Sequence, residues 1–172
     1  NTKAIEELRK MTEENTKAIH ELTERMESLT LTVNKGFKEM RRDIGGVTST
    51  LGMMFEETVR ESIIKWFKEN KIQVTSVSSK TIRVGNKLLE FDIYAESEDK
   101  IYVGEVKVTL RERDVEKFSN KIALLRPSVS KEVIPILVYR YKSGNPLRLA
   151  KGYGINVFKY VKGGELIQMS EK

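Results

Sequence analysis

The sequence predicts an α/β domain built on a mixed sheet and preceded by a long N-terminal coiled-coil helix. Three observations carry that reading. NTKAIEELRKMTEE at 1–14 is followed by NTKAIHELTERMES at 15–28, a repeat of two heptads. Two alternating runs, LLEFDIYAE and IYVGEVKVTL, flank a polar turn at Glu98–Asp99, the pattern of a β-hairpin. VIPILVYRY at 133–141 is almost continuously apolar, as a strand buried on both faces is.

In the N-terminal segment, Ile5, Leu8, Thr12, Asn15, Ile19, Leu22, Met26, Leu29 and Val33 alternate spacings of three and four, the seam of a coiled coil. Thr12 and Asn15 form a polar layer that sets register. Two successive fours at Leu29, Val33 and Phe37 are a stutter, which locally unwinds a supercoil. Residues 2–44 as one helix span on the order of 65 Å. The segment is expected to form a homo-oligomer, with dimers, trimers and tetramers all open because Ala4, Met11 and Ala18 widen the stripe. The competing reading is an amphipathic helix folded back on the domain. Gly45–Gly46 marks the expected boundary between a coiled-coil helix at 1–46 and a second domain at 47–172. The helix either breaks there or runs on with a weak point.

Thr48, Ser49 and Thr50 offer caps for a second helix over 51–70, whose Leu51, Met54, Phe55, Val59, Ile63, Trp66 and Phe67 form one apolar face. Glu56 lies at the edge of that face and Glu57 opposite it. IQVTSV at 72–77 and KTIRV at 80–84 read as strands, and Gly85–Asn86 as a tight turn leading into the hairpin. With Glu98–Asp99 as a two-residue turn, Asp92 stands across from Glu105, about 5 Å apart at Cβ. Lys107 follows on the same face. In the first run Leu89, Phe91, Ile93 and Ala95 share the other parity. Two carboxylates and a lysine are poor core residues, and together they read as a site.

Residues 112–125 read as a helix with Val115, Phe118, Ile122 and Leu125 inward and a basic stripe of Arg113, Lys117 and Lys121 on another face. After the strand at 133–141, Asn145 and Pro146 cap and begin a short helix. INVFKYV and ELIQM close the domain around Gly163–Gly164.

Composition narrows the chemistry. The chain has no cysteine and one histidine, His20, so disulfides, thiolate zinc sites and histidine triads are excluded. A metal would be held by carboxylates, which select hard ions such as Mg2+ or Mn2+. Residues 1–50 carry nine basic and nine acidic side chains, so the net charge of +6 belongs to residues 51–172. A carboxylate site in a basic domain suggests a polyanionic substrate, and the basic stripe gains a phosphate-contacting role beside it. No membrane span or signal peptide is expected, and the composition points to a cytoplasmic protein.

Asp92 in EFDIYAE and Glu105-Val106-Lys107 in GEVKVTL, within this element order, resemble the PD-(D/E)XK nuclease superfamily, with Phe91 where the motif name has proline. Gly52 and Glu56 in LGMMFEE are similar to the Gly-x-x-x-Glu helix start of archaeal Holliday-junction resolvases. Gly52, Glu56, Arg60, Asp114, Val115 and Phe118 are similar to positions in uncharacterised archaeal proteins that place a coiled coil before such a domain. The resemblance covers about residues 50–160. It implies a restriction-endonuclease-like αβββαβ core and hydrolysis of DNA, duplex or branched, with Mg2+ or Mn2+. It also implies metal ligation by Asp92, Glu105 and Glu56, and handling of the attacking water by Lys107. The alternative it leaves open is a catalytically inactive DNA-binding or scaffolding protein of the same fold.

Overall fold

The computed structural model describes residues 1–169. It divides into two units, Asn1–Thr50 and Leu51–Lys172. Helix α1, Thr2–Glu69, belongs to both and runs through Gly45–Gly46 without a break. Thr48, Ser49 and Thr50 are therefore helix interior rather than caps, and the Thr50 hydroxyl donates to the Gly46 carbonyl at 3.1 Å.

In the first unit the heptad stripe faces solvent. Ile5, Leu8, Ile19, Leu22, Met26 and Leu29 are each 58–68% exposed. The threonines within and beside the stripe do not leave polar groups open on it. The hydroxyls of Thr12, Thr16, Thr23 and Thr30 donate to the carbonyls of Leu8, Thr12, Ile19 and Met26, all at 2.8 Å. Each hydroxyl is thus satisfied within the helix.

In the second unit, strands β1 (Ser78–Val84), β2 (Lys87–Glu96), β3 (Lys100–Leu110), β4 (Glu132–Lys142), β5 (Asn156–Tyr160) and β6 (Leu166–Met169) form one sheet in sequence order. The β1–β2, β2–β3 and β5–β6 pairs are antiparallel, while β3–β4 and β4–β5 are parallel. The parallel pairs require crossovers, which α2 (Glu112–Leu125) and α3 (Pro146–Gly152) supply. Val59, Ile63 and Phe67 of α1 pack with Ile93, Ala95, Tyr102, Val106, Ile136 and Val138 on one face of the sheet. Val115, Phe118, Ile122 and Leu125 of α2 and Ala150 of α3 pack with the other. This is a mixed α/β unit with the sheet in the middle. No helix among the described residues is long and apolar enough to cross a membrane.

Four further expectations are corrected. Residues 72–77 are not a strand: Ile72, Val74 and Val77 are partly buried against the α1-side core, but the segment meets β2 only at its end, where Thr75 N–H donates to Glu96 O at 2.8 Å. The apolar periodicity there reports burial and not a ladder. Leu51 and Met54 are 60% and 57% exposed and continue the solvent-facing stripe rather than the core face. Asn145 makes no side-chain cap to α3; its backbone N–H donates to Glu112 Oε1 at 3.0 Å.

The fourth correction concerns β2. Leu89 and Phe91 pack on the α2 side, whereas Ile93 and Ala95 pack on the α1 side, so the four do not share a face. A bulge accounts for it. Lys80 pairs with Phe91 and Ser78 with Tyr94, which leaves Asp92 and Ile93 opposite the single residue Ser79. The extra residue inverts the alternation beyond it.

Candidate functional site

The hairpin register is the one its turn dictates. Ile93 pairs with Gly104, Tyr94 with Val103, Ala95 with Tyr102 and Glu96 with Ile101, and Ser97 N–H closes on Lys100 O at 2.9 Å. The ladder ends at Ile93–Gly104, within the bulge. At the next position the Asp92 carboxylate substitutes for the backbone: its Oδ2 accepts from Val106 N–H at 2.8 Å. Arg60 of α1 donates from Nη1 to the Asp92 carbonyl at 3.0 Å, which ties the helix to the bulge. Bulges commonly re-aim a side chain at the point where pairing stops, and here that residue is Asp92.

Glu56 lies one helical turn before Arg60 and is half-buried, while Glu57 is exposed. Burial pushes the Glu56 carboxyl above its ordinary range, and the neighbouring Asp92 charge adds to the effect. Arg60 and Lys107 oppose it. Asp92, Arg60 and Lys107 are therefore close enough to act on Glu56 electrostatically, although the four residues come from α1, β2 and β3.

Glu105 has a different neighbour. It is buried, 8% exposed, among apolar β3 residues, and a buried carboxylate needs a partner. Lys121 of α2 supplies it as a direct ion pair. The same ammonium donates to the Glu90 carbonyl at 2.8 Å and lies 5.6 Å from the centre of the Phe91 ring. Lys121 is thus the counter-ion of Glu105, whereas the sequence reading set it beside Arg113 and Lys117 as a phosphate contact. Arg113 and Lys117 are exposed.

Among the described residues, no three Asp, Glu, His or Cys side chains come together as a metal-binding group. Asp92 and Glu56 act on each other, while Glu105 is held by Lys121. Sequence reasoning missed that pairing because it joins residues on separate elements. It also passed over Gly104. A Cβ at Gly104 would stand 2.8 Å from the Ile136 carbonyl and 3.3 Å from the Cβ atoms of Ile93 and Ile136. Glycine lets β4 close against β3 directly beside Glu105.

No curated protein matches the sequence. One solved structure it is similar to is titled "Crystal Structure of Protein of Unknown Function AF1548", at 13% identity and a TM-score of 0.49. The match covers 60% of this chain and 58% of that one, so it spans little over half of that protein. Residues 56–166, from Glu56 to the first residue of β6, match the family model described as "Domain of unknown function (DUF8196)". That is more than half of the 172 residues, and the chain belongs to this family.

Proposed function

We propose that this protein is a metal-dependent nuclease of the PD-(D/E)XK type, acting on DNA as a coiled-coil homo-oligomer. The observation that supports it most is the Asp92 bulge. It puts a carboxylate at the end of the β2–β3 ladder, level with Glu105 and within electrostatic reach of Glu56, on which Lys107 also acts. The three candidate ligands are all hard oxygen donors, which suit Mg2+ or Mn2+. Repulsion from Asp92 at Glu56 is a cost that a bound cation would relieve. Asp92 and Glu56 would hold the ion, joined by Glu105 once Lys121 releases it. When bound, such an ion supplies Lewis-acid stabilisation of phosphate charge and a more acidic water. Lys107 would orient the attacking water and offset charge on the phosphate. Arg60 keeps the Asp92 backbone fixed. Arg113 and Lys117 are the available phosphate contacts on α2.

Cleavage of supercoiled plasmid and of a four-way junction, with Mg2+ or Mn2+ and with chelator, tests this reading. Metal-dependent cutting that falls at least a hundredfold in Asp92→Ala and Lys107→Ala is the expected result. No cutting of any DNA form by the wild type overturns it. A second reading, DNA binding without turnover, is favoured by the ion pair that already neutralises Glu105. It requires salt-sensitive DNA binding that Glu105→Ala leaves unchanged. The homo-oligomer rests on the exposed heptad stripe of residues 2–44. Sedimentation should find a multimer that Ile19→Lys with Leu22→Glu dissociates.

A further inference from the structure

The sheet is uneven at one end. β2 leaves β3 after Gly104 and β5 leaves β4 after Tyr139, yet β3 and β4 stay paired as far as Leu110 and Lys142. β2 itself runs on to Lys87, and its Glu90 carbonyl shares Lys121 with Glu105. From Glu105 on β3 and beyond Tyr139 on β4, however, the two strands form a parallel ridge with no laddered neighbour outside the pair. Its charges are lopsided. Beyond Glu105, which Lys121 neutralises, the ridge carries Lys107, Arg140 and Lys142 and no further acid.

Tyr141 stands on this ridge, paired with Thr109 and 57% exposed. Two residues earlier Tyr139 is buried in the core, and strand alternation sends Tyr141 to the same face, where its ring reaches solvent. The ring is nevertheless held. The Arg140 guanidinium lies 5.0 Å from its centre, and Arg140 Nη1 donates to the Tyr160 carbonyl at 3.5 Å. A guanidinium anchored on β5 thus backs the ring. An aromatic surface fixed in this way loses little side-chain freedom when a second flat group stacks on it. Flanking cations are what a phosphodiester chain requires beside such a surface. Tyr141 lies four residues along β4 from Leu137, the partner of Glu105. That is about 13 Å along the strand, or about four nucleotides at the spacing of a stacked strand.

We infer that Tyr141 is a base-stacking position and that the β3–β4 ridge binds single-stranded nucleic acid leading into the carboxylate site. This rests on the nuclease reading and narrows its substrate class to DNA with unpaired nucleotides, such as flaps, gaps or frayed ends. Every base offers a π-face, so the position selects for an unpaired strand and not for sequence.

The test is fluorescence anisotropy with a labelled twenty-nucleotide oligo-dT and with a blunt duplex of the same length, in chelator, so that binding is read apart from cutting. Wild type, Tyr141→Ala, Tyr141→Phe and Tyr141→Leu are compared. Tyr141→Ala and Tyr141→Leu should weaken oligo-dT binding about fivefold or more, on the scale of one lost base stack. Tyr141→Phe should stay within about twofold of wild type, and duplex affinity should change by less than about twofold in every variant. Oligo-dT binding unchanged in Tyr141→Ala overturns the inference while leaving the nuclease reading intact. Equal losses on both DNA forms, or rescue by leucine, overturn it as well. If the wild type binds neither DNA at low salt, the nucleic-acid reading and this inference fall together.

Discussion

Replacing Lys121 with methionine isolates the Glu105 ion pair. Methionine retains the unbranched stem beside Phe91 and removes only the charge and its hydrogen bonds. The Glu105 side chain is 10% exposed and that of Lys121 30%. Breaking a fully buried pair by removing one partner costs about 3–5 kcal/mol, because the other charge is left without compensation. The partial exposure of Lys121 admits water to the vacated position and lowers the cost to about 2 kcal/mol. For a unit of this size that corresponds to a fall of about 8 °C in Tm. Glu105→Gln should cost less, about 1 kcal/mol, since the freed ammonium can extend into solvent. The double variant should then resemble Glu105→Gln alone, giving a coupling energy of about 1–2 kcal/mol. Urea unfolding followed by fluorescence is the assay. Trp66 is the sole tryptophan and packs edge-on against Phe67 and Phe158, so it reports on this unit. A coupling energy below about 0.5 kcal/mol would refute the argument that Lys121 is the counter-ion Glu105 depends on.

Glu56 and Gly104 supply two further tests. Burial and the Asp92 charge raise the Glu56 carboxyl in the folded state above its ordinary value of 4.5. The folded protein therefore keeps this proton more readily than the unfolded chain. The associated stability is complete below the unfolded pKa and is lost as pH rises through the folded one. Glu56→Gln should accordingly be more stable than wild type at pH 7, with the gap closing as urea midpoints are measured towards pH 4; a gap independent of pH counts against it. Gly104→Ala places a Cβ 2.8 Å from the Ile136 carbonyl. Overpacking of this kind should cost about 1–3 kcal/mol in the same urea assay, and a neutral result would show that β4 yields there.

Much of the unit was legible because local chemistry constrains it. A two-residue polar turn at Glu98–Asp99, between runs of period two, leaves one register for the hairpin, and the observed pairs follow it. Glu56 could be distinguished from Glu57 because 100° of helical rotation separates their faces, and only Glu56 is half-buried. The bulge was not legible. LLEFDIYAE alternates without interruption, and both faces of β2 meet apolar layers, so Ile93 and Ala95 stay buried when switched to the α1 side.

The separation of the three carboxylates depends on that same bulge and on the docking of α2. Sixteen residues separate Glu105 from Lys121, and nothing local to either reveals the pair. In the N-terminal unit the heptad repeat determines the stripe outright, since each residue of a helix takes its face from spacing alone. Sequence by itself thus determined the stripe, the order of the elements, the hairpin register and the identity of the candidate acids. Only the tertiary structure decided which groups meet: the Asp92 charge with Glu56, the Asp92 backbone carbonyl with Arg60, and Glu105 with Lys121. The physical reason is that backbone patterns follow from local sterics and periodicity, whereas the partner of a buried charge is chosen by whichever cation the packing of separate elements brings within reach.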